Sequence, residues 1–149
     1  MLIRPVTAGD RTRWEPLWFG YNTFYGRTAD TALAAEVTDS TWQRFLNPTE
    51  PVHALVAEFE GELVGVAHYL FHRSTILIAD TCYLQDLFTA PEARGIGVGQ
   101  ALIRGVYGAA RAAGVERVYW HTHESNETAR ALYDAVARDT GFVVYRYES

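Results

Sequence analysis

Three glycines, Gly95, Gly97 and Gly99, stand at alternate positions directly before a long amphipathic stretch. Glycine leaves the backbone N–H groups uncovered, and the start of a helix adds partial positive charge from its aligned peptide dipoles. An anion is stabilised in such a place, and the guanidinium of Arg94 can add a charge-assisted hydrogen bond to it. The spacing therefore favours a phosphate-binding loop, with a purely structural turn as the alternative.

Two common nucleotide-binding patterns do not fit this loop. The dinucleotide fingerprint needs glycines at its first, third and sixth positions, but the sixth position is Gln100 counted from Gly95 and Leu102 counted from Gly97. The Walker pattern needs a closing Gly-Lys-Ser/Thr, which the sequence lacks. These mismatches disfavour a nucleotide-binding α/β domain.

The elements that must position this loop follow from hydrophobic periodicity and turn residues, which predict the order β-α-α-β-β-β-α-β-α-β. The predicted strands are 2–6, 53–59, 63–72, 81–89, 115–123 and 142–147. Four helices are predicted. Asp10 caps the first, and Pro16 either delays its start or bends it. The second spans 39–48 and is capped by Asp39, the third runs from the glycine loop to about Ala113, and the fourth spans 126–139. Strands 81–89 and 115–123 should be parallel, which places the loop at the carboxyl end of the first, where α/β sheets bind ligands.

Length and composition restrict the class of protein. The chain has 149 residues, of which 48% are hydrophobic and 21% charged, as expected for one soluble domain spanning residues 1–149. The net charge of −5 argues against nucleic-acid binding, which needs a basic surface. No stretch approaches the length of a signal peptide or membrane span, and the single cysteine, Cys82, excludes an internal disulfide. We therefore expect a cytoplasmic protein that binds no membrane.

The loop and the helix after the next strand carry a family resemblance. Residues 94–99 read Arg-Gly-Ile-Gly-Val-Gly and match the pattern Gln/Arg-x-x-Gly-x-Gly/Ala of the GNAT superfamily, the acetyl-CoA-dependent N-acetyltransferases. The later run NETARALYDAVARDTGF also matches, so the chain resembles that superfamily over nearly its whole length. Within the superfamily, the run CYLQDLFTAPEARGIGVGQALI is closest to the polyamine/thialysine and histone/polyamine branch. The resemblance implies a mixed α/β (α+β) GNAT fold. Its central sheet is mostly antiparallel with helices on both faces, and strands 81–89 and 115–123 are parallel and splayed.

The resemblance also implies how acetyl-CoA is bound. The backbone of the glycine loop would hold the pyrophosphate, and the end of strand 81–89 would bind the pantetheine arm through its backbone. Asn126 matches the asparagine that binds pantetheine, and its alternative role is to cap the helix. The implied cofactor-binding residues are Leu87, Phe88, Thr89, Arg94, Gly95, Ile96, Gly97, Val98, Gly99, Gln100 and Asn126.

Tyr133 matches the family's tyrosine that faces the sulfur and protonates the departing thiolate. It lies two helical turns after Asn126, so the two side chains face the same way, and a core tyrosine is the alternative. An ordinary tyrosine has a pKa of about 10 and a thiol about 8.5, so full proton transfer is uphill by roughly 2 kcal/mol. Hydrogen bonding to the thiolate is therefore as important as proton donation.

The acceptor amine must lose a proton before it attacks, so a carboxylate is expected nearby. Asp86 is the first candidate and also meets the substrate, and Glu124 is the second, with solvated surface acids as the alternative for both. The polyamine branch has a Glu-Asp pair where this chain has Gln85-Asp86, which favours a less highly charged amine. Family resemblance further assigns the acceptor wall to three aromatic residues, with ordinary core packing as the alternative: Tyr21, Phe24 and Tyr25.

The sequence thus predicts an acetyl-CoA-dependent N-acetyltransferase. It moves an acetyl group to a primary amine of a small molecule (diamine, lysine-like or amino acid) by direct attack in a ternary complex. Acetylation of a protein N-terminus or lysine, and a non-catalytic acyl-CoA sensor, are the alternatives. His121 and His123 lack a third ligand at a recognisable spacing, so no metal is expected. Family habit favours a homodimer.

Overall fold

The computed structural model describes residues 1–149 and contains five strands and four α-helices. In chain order they are β1 (Leu2–Pro5), α1 (Arg11–Phe24), α2 (Ala35–Leu46), β2 (Val52–Phe59), β3 (Glu62–His72), β4 (Thr81–Thr89), α3 (Val98–Ala112), β5 (Val118–Tyr119) and α4 (Glu127–Val136). The strands form one sheet in the order β1-β2-β3-β4-β5, antiparallel except for β4 and β5. The mixed, mostly antiparallel sheet of the sequence prediction is confirmed.

Helices cover both faces of this sheet, as predicted. On one face α1 and α2 supply an aromatic core in which Trp14, Trp18 and Trp42 pack against Val56 and Val66 of the sheet. On the other face α3 supplies Leu102, Ile103 and Val106, and α4 adds Leu132 and Val136 at the margin. The sheet is thus the middle layer of the fold, with a hydrophobic core on each face.

One of the first two helices begins where the sequence predicts and the other does not. α1 starts at Arg11, directly after Asp10, and runs through Pro16, so Pro16 does not delay its start. Burial of the Trp14 side chain, which is 0% exposed, offsets the free energy that is lost with the backbone hydrogen bond removed by proline. α2 starts at Ala35, so Asp39 is not its cap but lies inside the helix and accepts a hydrogen bond from Arg11 at 2.7 Å.

Asp10 precedes α1 as predicted, but its side chain does not cap that helix. The buried carboxylate instead accepts hydrogen bonds from Arg4 at 2.7 and 3.0 Å and from the Thr7 backbone N–H at 2.8 Å. The Arg4 guanidinium holds the pKa of Asp10 well below its usual range. This ion pair fixes the start of α1 to β1.

A close approach of α3 to β3 depends on Gly65. A Cβ there would lie 2.6 Å from Val98 Cγ1, 3.0 Å from Leu102 Cδ1 and 3.2 Å from the Phe88 carbonyl oxygen. Gly65→Ala is therefore expected to lower the free energy of unfolding by about 1–3 kcal/mol through overpacking. Gly108→Ala, at an exposed α3 position with nothing within 4 Å, is the control and should raise it by about 0.5–1 kcal/mol. Urea denaturation measures both, and equal stability of the two variants would contradict the packing argument.

A β-bulge interrupts the pairing of β3 with β4 at Gln85. His68 is opposite Asp86, but the next pair is Tyr69 with Leu84, so Gln85 is an extra residue on β4. The bulge reverses which face of the sheet the following side chains reach: Leu84 lies in the α3-side core, whereas Phe88 packs against the α1-side core. It therefore turns Asp86 toward α1.

Two predicted strands differ in the structure. The predicted strand 115–123 is reduced to β5, which forms only the pairs Cys82–Val118 and Tyr83–Tyr119 before the chain diverges from β4. The predicted strand 142–147 is wrong for the single chain, because its backbone pairs with no other strand and its apolar side chains are exposed. The chain has no helix long and apolar enough to cross a membrane.

Candidate active site

The glycine loop has the geometry of an anion-binding site. Gly95 and Gly97 adopt φ values of +84° and +88°, which favour glycine, and α3 starts directly afterwards at Val98. None of the backbone N–H groups from Gly95 to Gln100 donates to a backbone carbonyl, and no side chain caps the helix. These free donors at the start of a fifteen-residue helix fit a pyrophosphate group. The guanidinium of Arg94 lies beside them, 5.9 Å above the Phe88 ring.

The edge of β4 that leads to this loop is open. Because the parallel pairing with β5 stops at Tyr83, the last six residues of β4 have a strand neighbour only on the β3 side. Among them Leu87, Phe88 and Thr89 are half-buried, so their backbone groups are available to an extended ligand. Asn126 precedes α4 and its side-chain oxygen accepts a hydrogen bond from the Ala129 N–H at 3.4 Å, so its capping role is confirmed.

Tyr133 of α4 faces a cavity at this gap, which we call the α4-side cavity. Its lining is Tyr21, Tyr25, Leu84, Gln85, Leu87, Trp120, His121 and Tyr133. The Tyr133 ring packs edge-on against Trp120 with 5.4 Å between centroids. Burial, with a smaller contribution from Tyr25, raises the pKa of Tyr133 to about 12. The hydroxyl therefore keeps its proton at neutral pH and can act as a hydrogen-bond donor.

Asp86 ends a buried chain of hydrogen bonds that begins in α1. Trp14 Nε1 donates to His68 Nε2 at 3.0 Å, and His68 Nδ1 lies 2.9 Å from Asp86 Oδ2. Because Nε2 accepts from the indole N–H, the imidazole proton is on Nδ1 and is donated to the carboxylate. All three side chains are buried. The arrangement orients Asp86 and supplies one of its hydrogen bonds, so the carboxylate is held in place without an ion pair to an arginine.

A second cavity of about 200 Å³ lies on the opposite side of the bulge, and we call it the α2-side cavity. It is lined by Trp18, Thr41, Arg44, Phe45, Val52, His68, Tyr69, Leu70, Gln85 and Asp86. Gln85 lines both cavities, so both adjoin the bulge. Tyr21 also lies near the bulge, since burial and the nearby Asp86 carboxylate raise its pKa.

Several sequence candidates lie away from the two cavities. Phe24 is 59% exposed and lines neither, although its neighbour Tyr25 lines the α4-side cavity. Glu124 is exposed in the turn before α4 and also lines neither cavity.

His121 lies 3.2 Å from the Tyr83 hydroxyl, and no three potential metal ligands lie together in the chain. Cys82 is fully buried and burial raises its pKa to about 12, so it is no nucleophile.

Sequence reasoning missed His68, Trp120 and the contribution of Gln85 to both cavities. A signal for His68 was present, because a single ionisable residue interrupts the otherwise apolar centre of LVGVAHYLF. A buried histidine in such a strand needs partners on both ring nitrogens, which here are Trp14 and Asp86. Neither partner is close to it in sequence, so the pattern alone did not identify them.

The family follows from a comparison with known proteins. Residues 14–137 match the family model described as "Acetyltransferase (GNAT) family". The protein belongs to the GNAT family. The D-amino-acid N-acetyltransferase of Saccharomyces cerevisiae is 34% identical to this chain over 148 residues, covering 98% of this chain and 89% of the relative. This GNAT protein is accordingly an acyltransferase, of a family that uses acetyl-CoA.

Solved structures show the same fold at low sequence identity. The ribosomal-protein-alanine N-acetyltransferase from Brucella melitensis biovar Abortus is 19% identical, with a TM-score of 0.79 and full coverage of both chains. The enzyme AAC(6')-Iy, solved with a bisubstrate analogue, is 16% identical with a TM-score of 0.84, covering 99% of this chain and 97% of that one. These two GNAT structures establish the common architecture of sheet and helices.

Proposed function

We propose that this protein transfers the acetyl group of acetyl-CoA to the primary amine of a small amino acid or a related carboxylate-bearing amine. The observation that carries the proposal is that Gln85 lines both cavities. One contains Tyr133 beside the open edge of β4, and the other contains the buried carboxylate of Asp86. A donor held from one side and an amine held from the other would react beside Gln85, as direct attack in a ternary complex requires.

The glycine loop and the end of β4 would hold acetyl-CoA. The free N–H groups from Gly95 to Gln100, with Arg94, suit the pyrophosphate, and the backbone of Leu87, Phe88 and Thr89 suits the pantetheine arm. By its match to the family pattern, Asn126 would also bind the pantetheine arm. Bound acetyl-CoA supplies the activated acetyl group, so the chain needs only to position it and to stabilise the leaving sulfur.

Asp86 would receive the amine. An alkyl ammonium of pKa about 10.4 is mostly protonated at pH 7 and cannot attack, so a carboxylate must attract it and accept its proton directly or through water. The hydrogen bond from His68 fixes the direction of the Asp86 carboxylate. His68 itself acts as a positioning residue, because its Nε2 is already occupied by the Trp14 N–H.

The charges of the α2-side cavity favour an acceptor that also carries a carboxylate. Arg44 lines this cavity together with Asp86 and forms no ion pair with the chain. A cation and an anion in one cavity complement an amino acid better than a polyamine, which has no negative group. The name of the 34%-identical relative, an acetyltransferase of D-amino acids, supports the same class.

Matched acceptor pairs test this assignment. Thiol release from acetyl-CoA would be measured with phenylalanine against phenethylamine and lysine against cadaverine, using both enantiomers of each amino acid. We expect a higher kcat/KM for the amino acid of each pair. Arg44→Gln should lower kcat/KM for amino acids by about 10-fold and leave the simple amines within about twofold. A preference for the decarboxylated amines, or turnover only with peptides, would contradict the amino-acid assignment.

The proposal extends to the working form of the protein. We propose that residues 1–149 act as a single domain in the cytoplasm, a location supported by the single reduced cysteine. The reaction as proposed needs no metal, since the thioester is already activated and the amine attacks directly.

A further inference from the structure

Four aromatic rings form a connected patch on the sheet beside the two cavities, and we call this patch the aromatic platform (His72, Tyr83, Tyr119 and His121). The rings of Tyr83 and Tyr119 stack with 5.0 Å between centroids and 20° between planes. His121 packs against Tyr83 at 5.1 Å, and His72 packs against Tyr119 at 5.7 Å. The two tyrosines are half-buried and the two histidines are exposed, so the platform is partly open to solvent.

Hydrogen bonds within the platform fix the orientation of its rings. His72 Nε2 lies 2.8 Å from the Tyr119 hydroxyl, and His121 Nδ1 lies 3.2 Å from the Tyr83 hydroxyl. Rings that are already held in place lose little freedom when a ligand binds to them. The four side chains include no carboxylate and no guanidinium group, and aromatic rings pack favourably with a further ring in offset or edge-on geometry. The platform therefore suits an uncharged planar group.

The platform adjoins both cavities. Because Leu84 lies in the α3-side core, the side chain of its neighbour Tyr83 lies on the opposite face of β4, the face toward which the bulge turns Asp86. Tyr83 is also paired with Leu70, which lines the α2-side cavity. At the other side of the platform, His121 lines the α4-side cavity. A molecule that occupies either cavity can thus extend onto the platform.

The distance from the platform to Asp86 is short. Tyr83 and Asp86 are three residues apart on one strand, so their backbone positions are separated by at most roughly 10 Å. Burial, with a smaller contribution from the Asp86 carboxylate, raises the pKa of Tyr83, so the two side chains lie within electrostatic range of each other. One small molecule can therefore place its amine at Asp86 and another group on the platform.

We propose that the aromatic platform binds a ring of the acceptor, so that this protein prefers amines with an aromatic side chain. The inference rests on the proposed transfer to a small amine and names the side chain that this amine carries. Asp86 would receive the ammonium group and Arg44 the carboxylate, while the stacked tyrosines would pack against the ring. A saturated ring of similar size would gain the apolar contact but not the additional attraction between aromatic rings.

Matched pairs of acceptors test the platform: phenylalanine against cyclohexylalanine, and phenethylamine against cyclohexylethylamine. In thiol release from acetyl-CoA, we expect kcat/KM for the aromatic member of each pair to be about 5-fold higher. Tyr83→Leu, and separately Tyr119→Leu, should bring this ratio to within about twofold of one, because leucine keeps apolar surface and removes the ring. Phe19→Leu is the control, because it removes an exposed ring that lines neither cavity, and it should keep the ratio. Circular dichroism shows whether each variant is folded, and Tyr119→Leu decides if Tyr83→Leu is not.

Two results would overturn the platform: equal kcat/KM within both pairs, or an aromatic preference that survives in both tyrosine variants. The pair of simple amines keeps the test valid if the acceptor carries no carboxylate. The Kd values of the same compounds, measured by calorimetry with CoA present, give the ratio without turnover. An aromatic preference in Kd without any acetyl transfer would contradict the proposed reaction and still support the platform, whereas equal Kd values would contradict the platform itself.

Discussion

Tyr133→Phe is expected to lower kcat about 100-fold while leaving the Kd for acetyl-CoA within about twofold. The hydroxyl faces the α4-side cavity, and its loss removes the only proton donor that we assign to the leaving sulfur. The ring stays in place against Trp120, so the packing of α4 is retained. Steady-state kinetics with saturating amine, and acetyl-CoA titration by calorimetry, measure the two quantities separately.

The raised pKa of Tyr133 determines how it acts. The pKa of Tyr133 is about 12 and that of an ordinary thiol about 8.5, so complete transfer of the proton to the thiolate is uphill by roughly 5 kcal/mol. In the proposed reaction, its main contribution would therefore be a hydrogen bond that strengthens as charge develops on sulfur. Because the pKa is raised, the hydroxyl stays protonated through pH 10, where an ordinary tyrosine ionises, so ionisation of Tyr133 should cause no loss of activity there.

Tyr107→Phe is the control for this variant. Tyr107 donates its hydroxyl hydrogen bond to the Val136 carbonyl at 3.0 Å and lines neither cavity. Its replacement should cost about 0.5–1.5 kcal/mol of unfolding free energy without a change in kcat. Normal turnover by Tyr133→Phe, or an equal loss in both variants, would show that Tyr133 has no specific part in the reaction.

Asp86→Asn is expected to lower kcat/KM for the amine by about 100-fold or more, with acetyl-CoA binding unchanged. Asparagine keeps the size of the side chain, and its carbonyl oxygen can still accept the hydrogen bond from His68, but the negative charge that attracts and deprotonates the ammonium is lost. The residual rate should rise with pH as more of the amine becomes neutral in solution.

Glu124→Gln distinguishes the two candidate bases. Glu124 lies on the surface outside both cavities, so we expect a change of no more than about threefold, whereas Asp86 lines the α2-side cavity. Circular dichroism and urea denaturation of both variants show whether the fold is intact. A large loss in Glu124→Gln together with near-normal kinetics in Asp86→Asn would reverse the assignment.

The sequence was most informative where structure depends on neighbouring residues. The limits of β4, Thr81–Thr89, agree with the predicted strand because apolar alternation and the Ala90-Pro91 stop are local signals. The glycine loop is likewise local, and its positive φ values are those that its residue types favour. The face on which Asp86 lies was not predictable, because the bulge at Gln85 is a mismatch between two strands and leaves no mark on either one alone.

Partners distant in sequence account for the remaining differences. The hydrogen bonds of His68 join residues that are 54 and 18 positions away, a distance that periodicity does not cover. Residues 142–147 were predicted as a strand from their composition, but a strand also needs a neighbour, and the single chain provides none. The composition of this segment therefore indicates its preference for β-structure, but it does not indicate whether the segment pairs with another strand.

The bulge at Gln85 has a consequence for how the substrate range of this chain can change. Upstream of it, β4 contributes Cys82 and Leu84 to the core, and downstream it presents Asp86 on one face and Leu87 on the other. If the α2-side cavity holds the acceptor as proposed, substitutions there would alter acceptor preference while the backbone that would carry the donor stays constant. Acceptor specificity would then change independently of donor recognition, and one scaffold would acquire new amines through few mutations.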